Sequence, residues 1–167
     1  MKIIFFFFLL WVPSVYAQEL QPKVEISDLR VKGGIVSGAM RATGGQEVRV
    51  WSDANQWGAA RWRIIQVGRD GGVNVYYQNP YIYFTRNVPN YHVIGPGKTR
   101  NFSLNVNGGG WCDGVSCVQE GVAWKSGRKK FSRGDKLIIF YDAPASPEAT
   151  RFRVWYGLAS ASLVISN

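Results

Sequence analysis

The sequence predicts an all-β protein, a single-domain antiparallel β-sandwich of about nine strands. Three observations carry that prediction. Short stretches rich in Val, Ile, Tyr, Phe and Trp recur between clusters of Gly, Asn, Asp and Pro. No sustained helical period follows Gln18, and turn signals return about every ten residues, the spacing of sandwiches and barrels.

The elements follow in order. In "PKVEISDLRVKGG", Val24 and Ile26 share one phase and Leu29 and Val31 the other, so a slip at Ser27-Asp28 predicts a bulge in the first strand. "IVSGAM" (35–40) and "QEVRVWSD" (46–53) come next, the latter with Val48 and Val50 on one face and Arg49 and Trp51 on the other. The clearest hairpin is "AARWRIIQV", the turn "GRDGG" and "VNVYYQ", because Asp70-Gly71-Gly72 accepts positive φ. "NPYIYFTR" (79–86) reads as a strand, and "VPNY" as a loop. After a Gly-Pro-Gly turn, Phe102, Leu104 and Val106 share one face. "GVAWKSG" reads as a short strand and "GRKKFSRGD" as a basic loop. "KLIIFYD" (136–142), "TRFRVWYG" (150–157) and "LASASLVIS" (158–166) close the pattern, with "APASPEA" as a proline-bearing connector. The two distant cysteines flanking a tryptophan that mark antibody domains are missing, so the expected sandwich is immunoglobulin-like or jelly-roll-like in architecture only.

The N-terminus, MKIIFFFFLLWVPSVYA, has one lysine, a ten-residue apolar run and a small residue at Ala17, which is the pattern of a cleaved signal peptide over residues 1–17. The run is too short to span a bilayer, and no second long apolar stretch follows, so no transmembrane span is expected after cleavage. The expected domain is residues 18–167, secreted or periplasmic. Its formal charge drops from +9 to +8 because Lys2 is the one charged residue removed. A positive surface attracts phospholipid head groups, anionic glycans or nucleic acid; it also simply keeps a protein soluble.

Signs of catalysis are sparse. His92 is the single histidine, no Gly-x-Ser-x-Gly elbow is present, and the sequence predicts a non-enzyme, with a carboxylate-only hydrolase as the residual alternative. One histidine and two cysteines make no zinc set, and Asp113, Asp135 and Asp142 form no calcium ladder; neither metal nor cofactor is expected. "GPGKT" (95–99) lacks the upstream glycine of a phosphate loop, since that position is His92. Arg133-Gly134-Asp135 spells an adhesive tripeptide that ordinary turn chemistry also explains. Asn101-Phe102-Ser103 is formally a glycosylation acceptor.

Two features point to binding. Tyr76, Tyr77, Tyr81, Tyr83 and Phe84 lie within nine residues; tyrosine suits sugar stacking, protein partners or a membrane edge, and also covers sheets. Arginine alternates with aromatics at Arg61-Trp62-Arg63 and Arg151-Phe152-Arg153. If these segments share a sheet, their guanidinium groups form a stripe, which Arg128, Lys129, Lys130 and Arg133 would extend into an anion-binding patch. No nucleic-acid signature accompanies it.

"NGGGWCDGVSC" (107–117) holds both cysteines. In an oxidising compartment Cys112 and Cys117 are expected to form a disulfide worth roughly 2 kcal/mol, stiffening a platform that presents Trp111 beside Asp113. The function expected is non-enzymatic binding of an anionic or glycan-bearing cell surface, with Trp57, Tyr76, Tyr81, Tyr83, Trp111 and Trp124 as aromatic anchors. The alternatives are a small β-sandwich pore-forming toxin and an envelope or appendage subunit that recruits a protein partner by edge-strand addition.

Overall fold

The computed structural model describes residues 22–78, 88–108, 110–113 and 131–166. Among them the fold is all-β, with ten strands in antiparallel sheets and two short helices. A three-stranded sheet has the order β1 (Lys23–Lys32), β2 (Ile35–Thr43), β7 (Thr99–Asn105). A five-stranded sheet runs β10 (Gly157–Val164), β9 (Lys136–Ala143), β4 (Trp62–Val67), β5 (Val73–Gln78), β8 (Trp111–Asp113). β3 (Val48–Trp51) and β6 (Tyr91–Ile94) form a small third sheet. The helices are α1 (Gln56–Ala59) and α2 (Pro147–Phe152).

Alternation decides which faces are buried. Val24, Ile26, Val36, Met40, Phe102 and Leu104 of the first sheet join Trp62, Ile64, Leu137, Ile139 and Tyr141 of the second in one buried cluster, to which Val48, Val50 and Ile94 of the third also belong. The Trp62 and Phe102 ring centroids lie 4.5 Å apart, so the two larger sheets meet there directly. A buried polar chain crosses this core: the Tyr76 hydroxyl donates to Gln66 Oε1 (2.6 Å) and Gln66 Nε2 donates to Asp135 Oδ2 (2.5 Å), which also accepts the Ser132 N–H. These mutual hydrogen bonds offset the cost of burying Gln66, Asp135 and the Tyr76 hydroxyl.

The first-strand bulge falls where the phase slips: the register shifts between Ser27 and Arg30, and Asp28 takes φ 54°. Gly38 sits opposite it on β2. A Cβ there would come within 2.9 Å of Leu29 Cδ2 and 2.8 Å of the Phe102 ring, so only glycine lets the bulge and the ring close together. The β4–β5 turn uses Gly71 at φ 83°, as its sequence predicts.

One expected strand is absent. Of the strand expected at 150–157, residues 150–156 are not in a strand, because Ser146-Pro147-Glu148 starts a helix: the Ser146 Oγ accepts the Ala149 N–H at 3.0 Å and Pro147 presets the first turn. β10 begins only at Gly157. The expected strands at 79–86 and in "GVAWKSG" lie outside the described residues.

Candidate functional site

The end of α2 forms one side of a surface concavity. Arg153 caps the helix in the left-handed conformation (φ 52°, ψ 41°), and its N–H turns back to the carbonyls of Ala149 and Thr150. Glycine is the usual residue there, since a Cβ is penalised in that region. From Arg153 the chain runs alongside β3: the Trp155 N–H donates to the Arg49 carbonyl at 2.8 Å, and the Trp155 indole donates to the Pro22 carbonyl at 3.0 Å. Between these anchored walls lies a cleft of about 400 Å³, with Glu47, Arg49, Thr150, Arg153 and Tyr156 in its lining.

An aromatic cluster supports the cleft from below. Trp51, Ala149 and Val154 are buried, with Trp57, Tyr91 and Phe152 packed against them. Trp51 meets Phe152 edge-on at 6.0 Å and Trp57 in a tilted arrangement at 6.4 Å. Arg49 is fixed by this cluster: its guanidinium lies 4.9 Å from the Tyr91 ring centroid, donates to the Phe152 carbonyl (3.3 Å) and the Tyr91 hydroxyl (3.4 Å), and faces Glu47 at 3.7 Å. Such a guanidinium is oriented before any ligand arrives. Arg153 is exposed, and Arg151 lies 5.5 Å from the Phe152 ring centroid just outside the lining. Two arginines against one glutamate leave the lining positive.

The structure sorts the residues expected from sequence. Arg153 lines the cleft and Arg151 flanks it, but they do so from a helix end and not from a sheet stripe. Arg61 and Arg63 do not join them. Arg61 Nε donates to the Trp57 carbonyl at 2.8 Å, and Arg63 pairs with Asp142 at 3.3 Å on the outer face of the five-stranded sheet. The single four-arginine stripe is therefore corrected, because the helix replaces the strand that was to carry half of it. Trp57 is half-buried in the aromatic cluster and serves as support.

Two aromatic assignments are overturned by burial. Tyr76 is 5% exposed, with its ring in the core and its hydroxyl on Gln66, because β5 turns that phase inward. Trp111 is also 5% exposed, packed in the core and not presented on a platform. Cys112 carries no free thiol; Cys117, its expected partner, lies outside the described residues, as do Tyr81, Tyr83, Trp124, Arg128, Lys129 and Lys130. The adhesive tripeptide is not displayed, since Asp135 is buried under Gln66 and Ser132.

Sequence reasoning missed Arg49, Thr150 and Tyr156. The signal for Arg49 was present in "EVRVW", whose Arg49/Trp51 face carries the site while its valines enter the main core. His92 lies on β6, its Nε2 3.6 Å from Asp53, with Arg100 also 3.7 Å from that carboxylate. Burial and the Arg100 cation hold the His92 pKa below its usual 6.5, against the pull of Asp53. Among the described residues no group of three His, Cys, Asp or Glu side chains is placed to hold a metal, and no helix is long and apolar enough to cross a membrane. Comparison with protein-family models, curated proteins and solved structures finds no match to this chain.

Proposed function

We propose that this is an exported, non-enzymatic binding protein that engages an anionic glycan at a cell surface through the cleft between β3 and α2. The observation that carries the reading is the pairing in one cleft of a pre-oriented arginine, Arg49, with an exposed one, Arg153, beside the exposed ring of Tyr156. Guanidinium forks match carboxylate and sulfate geometry, and a tyrosine face suits a sugar ring; the Thr150 hydroxyl donates to the Ser146 carbonyl at 3.1 Å and so offers a sugar hydroxyl only an acceptor. The volume is that of a small-ligand site, so the cleft accommodates one or two sugar residues. Export rests on the signal pattern of residues 1–17, and surface attraction on the positive charge of the chain.

Titration with sulfated and uronate oligosaccharides and with their neutral counterparts, at low and high salt, tests the reading. Binding is expected for the anionic sugars alone, weakening as salt rises, and Arg153→Glu is expected to abolish it without changing the circular dichroism spectrum. Absence of binding to every anionic sugar at low salt, or equal binding by Arg153→Glu, overturns it.

A further inference from the structure

The outer face of the five-stranded sheet is a second surface, independent of the cleft. Its register places Ile65 between Val75 and Ile138, and Arg63 between Tyr77 and Phe140. Val67 lies between Val73 and Lys136, and Leu158 pairs with Asp142 at the adjoining corner. All of these side chains point away from the core, because their strand neighbours Trp62, Ile64, Leu137, Ile139 and Tyr141 are the buried phase. Val73 is 61% exposed, and Leu158 and Val164 are each 62% exposed. A depression of about 360 Å³ opens on this face between Ile65, Val75, Phe140 and Leu158. Most antiparallel sheets with one wet face alternate apolar-in with polar-out; here Ile65, Val67, Val73, Val75, Ile138, Phe140 and Leu158 make the outer phase mainly apolar, interrupted by Arg63, Lys136 and Asp142 and by Ser160 and Ser162 of β10, and an apolar patch of this kind marks an interaction surface.

We infer that this face pairs with the same face of a second copy of the chain, giving a two-fold dimer. Charge selects that occupant. The chain carries +9 overall, yet among the described residues the charged side chains of this face are Arg63, Lys136 and Asp142, with Arg63 and Asp142 already paired. It is therefore a place where two strongly basic molecules meet without stacking their cations, and it offers an anionic partner little attraction. The face is also self-complementary. A two-fold axis between β4 and β9 lays Ile65 of each copy over Ile138 of the other, and brings each Arg63 toward the other copy's Phe140 ring and Asp142 carboxylate.

Four strands about 4.8 Å apart, each spanning about seven residues at roughly 3.4 Å with alternate side chains facing outward, give a patch of roughly 450 Å² in plan before side-chain relief. Stable interfaces remove about 800 Å² of accessible surface per partner. At roughly half that figure the patch supports a weak, transient dimer, so the equilibrium is expected to depend on concentration and to favour the monomer at low micromolar.

Sedimentation equilibrium of the purified protein from low micromolar to submillimolar concentration tests this. A monomer–dimer transition is expected, with Ile138→Lys shifting its midpoint at least tenfold upward while thermal melting stays near that of the parent. Leu158→Lys, at an already exposed position, keeps the test readable if Ile138→Lys fails to fold. Arg63→Asp and Asp142→Arg are each expected to weaken the dimer and to restore it when combined. A monomer throughout the range overturns the inference, as does a dimer insensitive to Ile138→Lys and Leu158→Lys. A monomer whose Leu158-dependent contact is instead with phosphatidylglycerol vesicles also overturns it, in favour of a lipid surface. None of these results bears on glycan binding, which Arg153 variants report separately.

Discussion

Replacing Arg153 with glycine separates what the backbone needs at the end of α2 from what the cleft needs. Arg153 holds φ 52° and ψ 41°, a region that costs a residue with a Cβ about 1–2 kcal/mol. Glycine removes that cost but adds about 0.5–1 kcal/mol of unfolded-chain entropy. No ion pair of Arg153 offsets the difference among the described residues, and its side chain is exposed. The substitution is therefore expected to stabilise the protein by roughly 0.5–1 kcal/mol, a rise of about 2–3 °C in melting temperature for a domain of this size. The companion Arg153→Val, β-branched in the same left-handed region, is expected to destabilise by about 1 kcal/mol or more. Urea and thermal unfolding followed by tryptophan fluorescence measure both. Glycan binding should fall in both variants alike, since both lack the guanidinium. A glycine variant that melts below the parent would refute the reasoning, because the side chain and not the backbone would then be securing the cap.

Three further outcomes are expected. Gly38→Ala forces a methyl to within 2.8 Å of the Phe102 ring and 2.9 Å of the Ser27 carbonyl, and should cost about 1–3 kcal/mol in urea unfolding. Tyr141→Phe removes the hydroxyl that accepts the buried Trp51 backbone N–H at 3.0 Å, which should cost about 1–3 kcal/mol in urea unfolding; burial pushes the Tyr141 pKa up, so the phenol stays protonated in the folded protein at moderately alkaline pH. His92 has its folded pKa held below 6.5 by burial and by Arg100, so its contribution to stability is present above pH 6.5 and declines as pH falls through the lower folded value. His92→Gln should flatten that part of the stability profile in thermal melts taken on either side of pH 6.5.

The fold was legible wherever one phase of a strand was apolar and the other was not. Phe102, Leu104 and Val106, or Ile64 flanked by Arg63, announce their faces without help from the rest of the chain, and the Ser27-Asp28 slip marked its own bulge. The site was less legible because it depends on pairs distant in sequence. Arg49 meets Phe152, and Pro22 meets Trp155, through contacts that no local pattern encodes. The segment 150–157 misled for a local reason: Arg-Phe-Arg-Val-Trp-Tyr has strong strand propensity, but the Ser146-Pro147 cap immediately upstream commits the chain to a helix first. Tyr76 and Trp111 misled because aromatic residues near turns look exposed, and only the pairing of β5 with β4 and β8 turns them inward.

The hydrogen bond from the Trp155 indole to the Pro22 carbonyl has a mechanical consequence for the protein. It ties Pro22, which leads into β1, to a residue of the cleft wall, so a change that loosens the start of β1 also loosens that wall. The other end of the chain leaves differently: Ile165 is bonded to Asp135, at the end of β10 remote from Gly157. A change at Ile165 is thus separated from the cleft wall by the length of β10, whereas one at Pro22 acts on that wall directly.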